Sequence, residues 1–142
     1  MPSNLTVVDS GLFVGSKITE ISFAEPCYWH FLLQNGTSIA VECLWRIANS
    51  EAIILTSEDH HQKFGLPQPI GARERAMHLL AQSNITEFLL RPETLDVVVG
   101  LSNGNRLEVI VTSSGYEGWK IVTAERKQIV AQGGGQLCSY SD

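Results

Sequence analysis

The chain reads as mainly β: a pseudo-twofold, duplicated antiparallel β-meander forming a sandwich or barrel, with one short helix in the connector. Three observations predict this. A turn–strand–tryptophan stretch occurs twice, Asn35-Gly36 leading through Ile39 and Val41 to Trp45-Arg46-Ile47, and Asn103-Gly104 leading through Leu107 and Val109 to Trp119-Lys120-Ile121. Upstream, Ser16 and Ile18-Thr19-Glu20 match Ser83 and Ile85-Thr86-Glu87, and downstream Ile53-Ile54 falls near Ile129-Val130. Apolar residues alternate with a period of two through both copies, while a helical period shows in one short run. The 142 residues therefore predict one domain of two repeats, at 12–56 and 79–131, joined by a loop and helix at 57–82. Two copies are too few for a solenoid, which needs about three.

Taken in order, Val14 to Phe23 is the first strand. Its apolar residues Ile18, Ile21 and Phe23 break the two-residue period, and Ile85, Phe88 and Leu90 break it in the same way. A shared break predicts a β-bulge at one place in both halves, because one extra residue moves the inward face by one. Pro26 and Pro92 end these strands, since proline cannot donate to a central ladder. Tyr28 to Leu33 and Leu95 to Leu101 then run into the Asn-Gly pairs, which favour two-residue type I′ hairpins. After the turns, Ile39, Val41 and Cys43 alternate with polar or small residues, as do Leu107, Val109 and Val111 with Arg106 and Glu108. Trp45–Ile47 and Ala52–Leu55 predict a further hairpin, with Trp119–Val122 and Gln128–Ala131 as its counterpart. Thr56 to Gly71, broken by Pro67, Pro69 and Gly71, is a connector. In Arg73–Ala81, Ala76, Met77 and Leu80 recur at helical spacing, predicting a helix over one end of the sheets. Gly133-Gly134-Gly135 reads as a bend before a closing strand from Leu137 to Tyr140.

Composition bounds the function. A net charge of −5, with Arg and Lys scattered singly, argues against nucleic acid, which calls for a basic stripe. The acidic excess lies mainly before Gly71, where seven acids face three bases. Met1 to Ser10 lacks the basic-then-apolar pattern of a secretory leader, and no run approaches a membrane span, so the expectation is a cytoplasmic protein with no membrane partner. Cys27, Cys43 and Cys138 form no CxxC pair; the first two read as buried small hydrophobes. No cofactor is implied.

Four stretches are candidates for chemistry. Glu58-Asp59-His60-His61 concentrates metal-type ligands, with His60 and His61 the candidate metal residues. Contiguous side chains diverge, however, and no second ligand pair follows, so a solvated loop is the competing reading. Thr112-Ser113-Ser114-Gly115-Tyr116-Glu117 is an insertion that breaks the repeat just before Trp119. It is either a grafted binding loop or a closure in which Tyr116 and Trp119 cap the sheets with their polar tips on backbone. No G-x-S-x-G elbow surrounds its serines. In the first copy, Glu42 and Arg46 beside Trp45 form either a surface ion pair or a recognition site for a polar ligand. The triple glycine lacks the lysine and helix of a phosphate loop.

At Glu42-Cys43-Leu44-Trp45-Arg46-Ile47 and Ser114-Gly115-Tyr116-Glu117-Gly118-Trp119 the chain resembles a family of small uncharacterised bacterial proteins. These combine an Asn-Gly or Asp-Gly turn, an Ile-Glu-x-x-Trp-Arg-like strand and a Ser-x-Gly-Tyr-Glu-x-Trp segment; here Val41 precedes Glu42 in place of the isoleucine, a departure from the pattern. The resemblance spans most of the chain and implies a bacterial cytosolic protein with no catalytic residue to carry over.

The expected function is a non-enzymatic binding module whose partner is another protein or a second copy in a homodimer. An immunity-type inhibitor with its acidic surface toward a basic toxin is one version. Trp29, Trp45, Tyr116 and Trp119 suit an interface by residue type. The alternative is a small-molecule sensor or enzyme with a pocket between the repeats, using Glu42, Arg46, Tyr116 and Glu117.

Overall fold

Both Asn-Gly pairs turn the chain, by a different route from the one predicted. In a computed structural model, which describes residues 8–141, Leu33 N–H bonds Thr37 O at 2.8 Å and Gly36 N–H bonds Leu33 O at 3.0 Å. The second turn repeats this with Leu101, Asn105 and Gly104. Only the glycines take positive φ, +92° and +91°. Each hairpin is thus a three-residue loop, a type I turn closed by a left-handed glycine, rather than type I′. The asparagines are held by their side chains. Asn35 Oδ1 accepts Thr37 N–H while its Nδ2 donates to Leu12 O, and Asn103 does the same with Asn105 and Leu79. The Met1–Ser10 segment considered for a leader falls mostly outside the described residues.

The strands are β1 (Ile18–Ala24), β2 (Tyr28–Leu33), β3 (Ser38–Val41), β4 (Leu44–Ala48), β5 (Ile53–Thr56), β6 (Ile85–Leu90), β7 (Val97–Leu101), β8 (Arg106–Ile110), β9 (Trp119–Val122), β10 (Lys127–Ala131) and β11 (Leu137–Ser141), with helix α1 (Ala72–Leu80) between β5 and β6. The first strand starts later than predicted because the chain, after the 3₁₀ turn Ser10–Leu12, turns again at Phe13–Gly15, where Ser16 N–H bonds Phe13 O and Gly15 takes φ +90°. Register slips between Ile18 and Glu20 in β1 and between Ile85 and Glu87 in β6. These are the predicted bulges, and at each a threonine hydroxyl, Thr19 or Thr86, donates to the neighbouring strand.

All pairings are antiparallel. One sheet has the order β1-β2-β3-β9-β10-β11, the other β5-β4-β8-β7-β6, and the two form a sandwich rather than a closed barrel. The chain passes between sheets twice, at Glu42-Cys43 after β3 and across 111–118 after β8. Because β3 pairs with β9 and β4 with β8, a single two-stranded ribbon bends from one sheet into the other. Its registers join the two halves of the chain: Trp119 lies opposite Val41, and Trp45 opposite Val109. The inserted Thr112–Glu117 is therefore placed at the corner of the sandwich. Helix α1 packs against β1 and β5, the edge strands of the two sheets, and so closes a side of the sandwich.

The core between the sheets contains Ile21, Phe31, Ile39, Ile47, Leu107 and Ile121, with Phe13 stacked on Phe88 at 4.3 Å. It also contains all three tryptophans, Trp29 at 3% exposure, Trp119 at 1% and Trp45 at 0%. Their expected role at an interface is corrected: at the inward positions of their strands these rings fill the sandwich, each contributing on the order of 3 kcal/mol or more of burial. Cys27 is corrected too. It lies exposed in the β1–β2 turn, while Cys43 is half-buried, its thiol pushed up to about 12 by burial. Among the described residues no helix is long and apolar enough to cross a membrane.

Candidate functional site

The corner where the ribbon changes sheets carries two adjoining clefts. The first, of about 600 Å³, is walled by Phe23 and Trp29, with Glu25, Glu42 and Glu58 on its polar side and His60, His61 and Gln62 along the rim. The second, of about 700 Å³, lies between Tyr28 and Tyr116, with Glu42 and Glu117. They share Cys27, Glu42, Cys43 and Thr112, so the segment between β3 and β4 is a ridge between two halves of one groove. Neither is lined by Lys or Arg.

Glu42 and the insertion converge as the ribbon topology requires. The Glu42 amide bonds Gly118 O at 2.9 Å, which continues the β3–β9 ladder to the foot of the insertion. The Glu42 carboxylate lies beside the Tyr28 hydroxyl; hydrogen bonding to it and its charge hold the phenol pKa above its ordinary value, with burial, Cys27 and Glu117 adding to the effect. Ser113 Oγ accepts the amides of Gly115 and Tyr116, so the hydroxyl shapes the loop. Tyr116 extends outward at 83% exposure, whereas Trp119 turns in and its indole N–H donates to Leu95 O at 2.8 Å. The two aromatic residues of the insertion segment thus divide: Trp119 closes the core, and Tyr116 is presented.

Arg46 does not join this group. It lies on the outer face of the five-stranded sheet, where its Nε pairs with Glu108 Oε1 at 2.5 Å and Arg106 Nε pairs with Glu108 Oε2 at 2.7 Å. Burial alone would raise the Glu108 pKa, but hydrogen bonds from Arg106 and Arg46, and then their charges, hold it below the usual carboxylate range. The expected Glu42–Arg46 pair is corrected for a topological reason: the chain changes sheets between the two residues.

The Glu58–His61 stretch is also rearranged. Asp59 Oδ2 accepts the Thr56 amide as half of a capping box. His60 Nδ1 accepts the Ala72 amide at 3.1 Å, serving the first turn of α1, where Gly71 has no side chain to do so. The His60 ring meets Phe23 and Trp29 edge-on at 4.8 and 5.2 Å. His61 takes a left-handed backbone, φ 69°, and stacks on His60 at 3.8 Å, so the neighbouring side chains converge where divergence was expected. With Nδ1 of His60 engaged, the pair is a helix cap and a cleft wall. Among the described residues no group of three His, Cys, Asp or Glu is placed to hold a metal ion.

This cap gives a pH prediction. Burial, then the neighbouring His61, holds His60 below its ordinary pKa of 6.5. The unfolded chain therefore binds the extra proton first as pH falls, and folding stability, full above about 6.5, declines between there and the depressed value. His60→Asn, which keeps an acceptor near Nδ1 but does not titrate, is expected to flatten this part of the profile in thermal midpoints measured at a series of pH values. An unchanged slope would show that His60 does not control it.

Sequence reasoning missed Phe23, Glu25 and Tyr28. The available signal was a length difference: the β1–β2 connection spans 25–27, and its counterpart between β6 and β7 spans 91–96. No family model, curated protein or solved structure matches the chain.

Proposed function

We propose that the protein is a non-enzymatic binding module, and that the corner groove receives a basic segment of a partner protein. One observation carries this reading: two adjoining clefts present Glu25, Glu42, Glu58 and Glu117 beside Phe23, Trp29, Tyr28 and Tyr116, with no Lys or Arg in the lining. Carboxylates beside aromatic faces favour lysine and arginine through charge and cation–π attraction, and a net charge of −5 steers such a partner toward the protein. An immunity-type role against a basic toxin is one form of this function. The engaged Nδ1 of His60 and the Ser113 hydroxyl committed to its own loop favour binding over catalysis. Matched bulges, turns and tryptophan registers in the two halves support an internal duplication, with the groove arising where the copies differ.

The test is fluorescence anisotropy with a labelled peptide of alternating lysine and leucine. Saturable binding that weakens with salt is expected. Glu42→Gln combined with Glu117→Gln should weaken it about tenfold, the effect of roughly 1.4 kcal/mol. Equal binding of a glutamate–leucine peptide, or indifference to the double substitution, would exclude this reading.

A further inference from the structure

The second cleft owes one wall to a difference between the two halves. The chain crosses between the sheets through Glu42-Cys43 in the first half and through the longer 111–118 in the second, and the extra length carries Tyr116 outward. The main chain there is held from two sides. Ser113 Oγ accepts the amides of Gly115 and Tyr116. The triple glycine packs against the same segment, so closely that a Cβ on Gly133 would lie 2.8 Å from Tyr116 O and one on Gly134 3.1 Å from Ser114 O. The Tyr116 ring, 83% exposed, lines the cleft together with the half-exposed Tyr28.

Glu42 and Glu117 line this cleft with the two tyrosines. Hydrogen bonding to Glu42, then that carboxylate's charge and, more weakly, that of Glu117, raise the Tyr28 phenol pKa, so both carboxylates lie within electrostatic reach of one hydroxyl. Among the described residues neither carboxylate forms an ion pair with Lys or Arg. Two carboxylates without a third metal-type ligand suit an organic cation rather than a metal ion. The lining also discriminates among organic cations. A quaternary ammonium brings no N–H to a carboxylate, and a lysine ammonium is a compact, strongly hydrated point charge. A guanidinium has donors in its plane for two carboxylates and flat faces for aromatic rings.

We propose that the second cleft is the seat of one arginine side chain of the partner, its guanidinium donating to Glu42 and Glu117 and its flat faces lying against Tyr28 and Tyr116. The inference rests on the basic-partner reading above. It adds to that reading the identity of one partner residue and a role for the insertion, which supplies one ring and one carboxylate.

The experiment is an NMR titration of the ¹⁵N-labelled full chain, following the amide signals of Glu42 and Tyr116. The probes are acetyl-Leu-Arg-Leu-amide, its lysine counterpart, and its citrulline counterpart, which keeps the shape of arginine and loses the charge. The arginine peptide is expected to bind about tenfold more tightly than the lysine peptide, and the citrulline peptide more weakly than either. Tyr116→Leu should level the arginine and lysine affinities, while Tyr116→Phe, which keeps the ring, should keep the preference. If the arginine and lysine peptides bind equally, and both weaken with Glu42→Gln and Glu117→Gln, the acidic groove stands and the arginine seat is wrong. A preference that survives Tyr116→Leu also overturns the seat. If no peptide binds, or the citrulline peptide binds as well as the charged ones, both readings fall.

Discussion

Trp119→Phe is expected to destabilise the protein by about 1–3 kcal/mol more than Trp45→Phe, although the two rings are equally buried and the same atoms are removed. Each substitution leaves a cavity of similar size, and that contribution largely cancels between them. What remains is the hydrogen bond. Trp119→Phe strips the Leu95 carbonyl of its donor in a dry interior, which costs the desolvation of that oxygen. Trp45→Phe removes an indole N–H that has no acceptor, so it loses no hydrogen bond. Urea unfolding of both variants measures the difference as a shift in midpoint at constant slope. Equal losses would mean that Trp45 has a hidden acceptor, and the structural asymmetry between the halves would lose its energetic meaning.

Gly133→Ala and Gly135→Ala are expected to cost more than Gly104→Ala, and to disturb the groove as well. All three glycines take positive φ, +87°, +78° and +91°, where an L side chain is strained by about 1–2 kcal/mol. At Gly104 a Cβ meets nothing within 4 Å, so that strain is the whole effect. At Gly133 it falls 2.8 Å from Tyr116 O, and at Gly135 2.7 Å from Glu93 O. Both obstacles are backbone, so the insertion or the 91–96 connection must move, which adds on the order of 1–3 kcal/mol. The triple glycine is thus a shelf for the insertion as well as a bend. Thermal midpoints read the stability difference. Binding of the lysine–leucine peptide reads the groove, and Gly133→Ala should weaken it while Gly104→Ala leaves it unchanged. Equal midpoints for all three would refute the shelf.

The sequence was most informative where the physics is local. Alternation in Tyr28–Leu33 and Arg106–Ile110, the broken period at Thr19 and Thr86, the Asn-Gly turns and the helical spacing around Ala76 each express a constraint set within a few residues, and each marked a real element. Even there the turn type was missed, because Asn35 and Asn103 are anchored by distant carbonyls at Leu12 and Leu79, which hold them out of the left-handed region.

The site was legible only in part. Tyr116, Glu117 and Glu42 stood out as an insertion and its counterpart, and they do line one groove. Arg46, Trp45 and Trp119 were grouped with them by proximity along the chain, yet the strand alternation and the crossing between sheets send Arg46 to an outer face and both indoles to the core.

By itself, then, the sequence determined an antiparallel β pattern with one short helix, because hydrophobic period and turn chemistry act over short separations. The choice of sandwich over barrel, the meeting of 25–27, 42–43, 57–62 and 112–118 at one corner, and the pairing of one tryptophan N–H but not the other were decided by tertiary structure. Those outcomes depend on which strands pair across long separations and on whether a connection is long enough to bring a carbonyl to a buried donor.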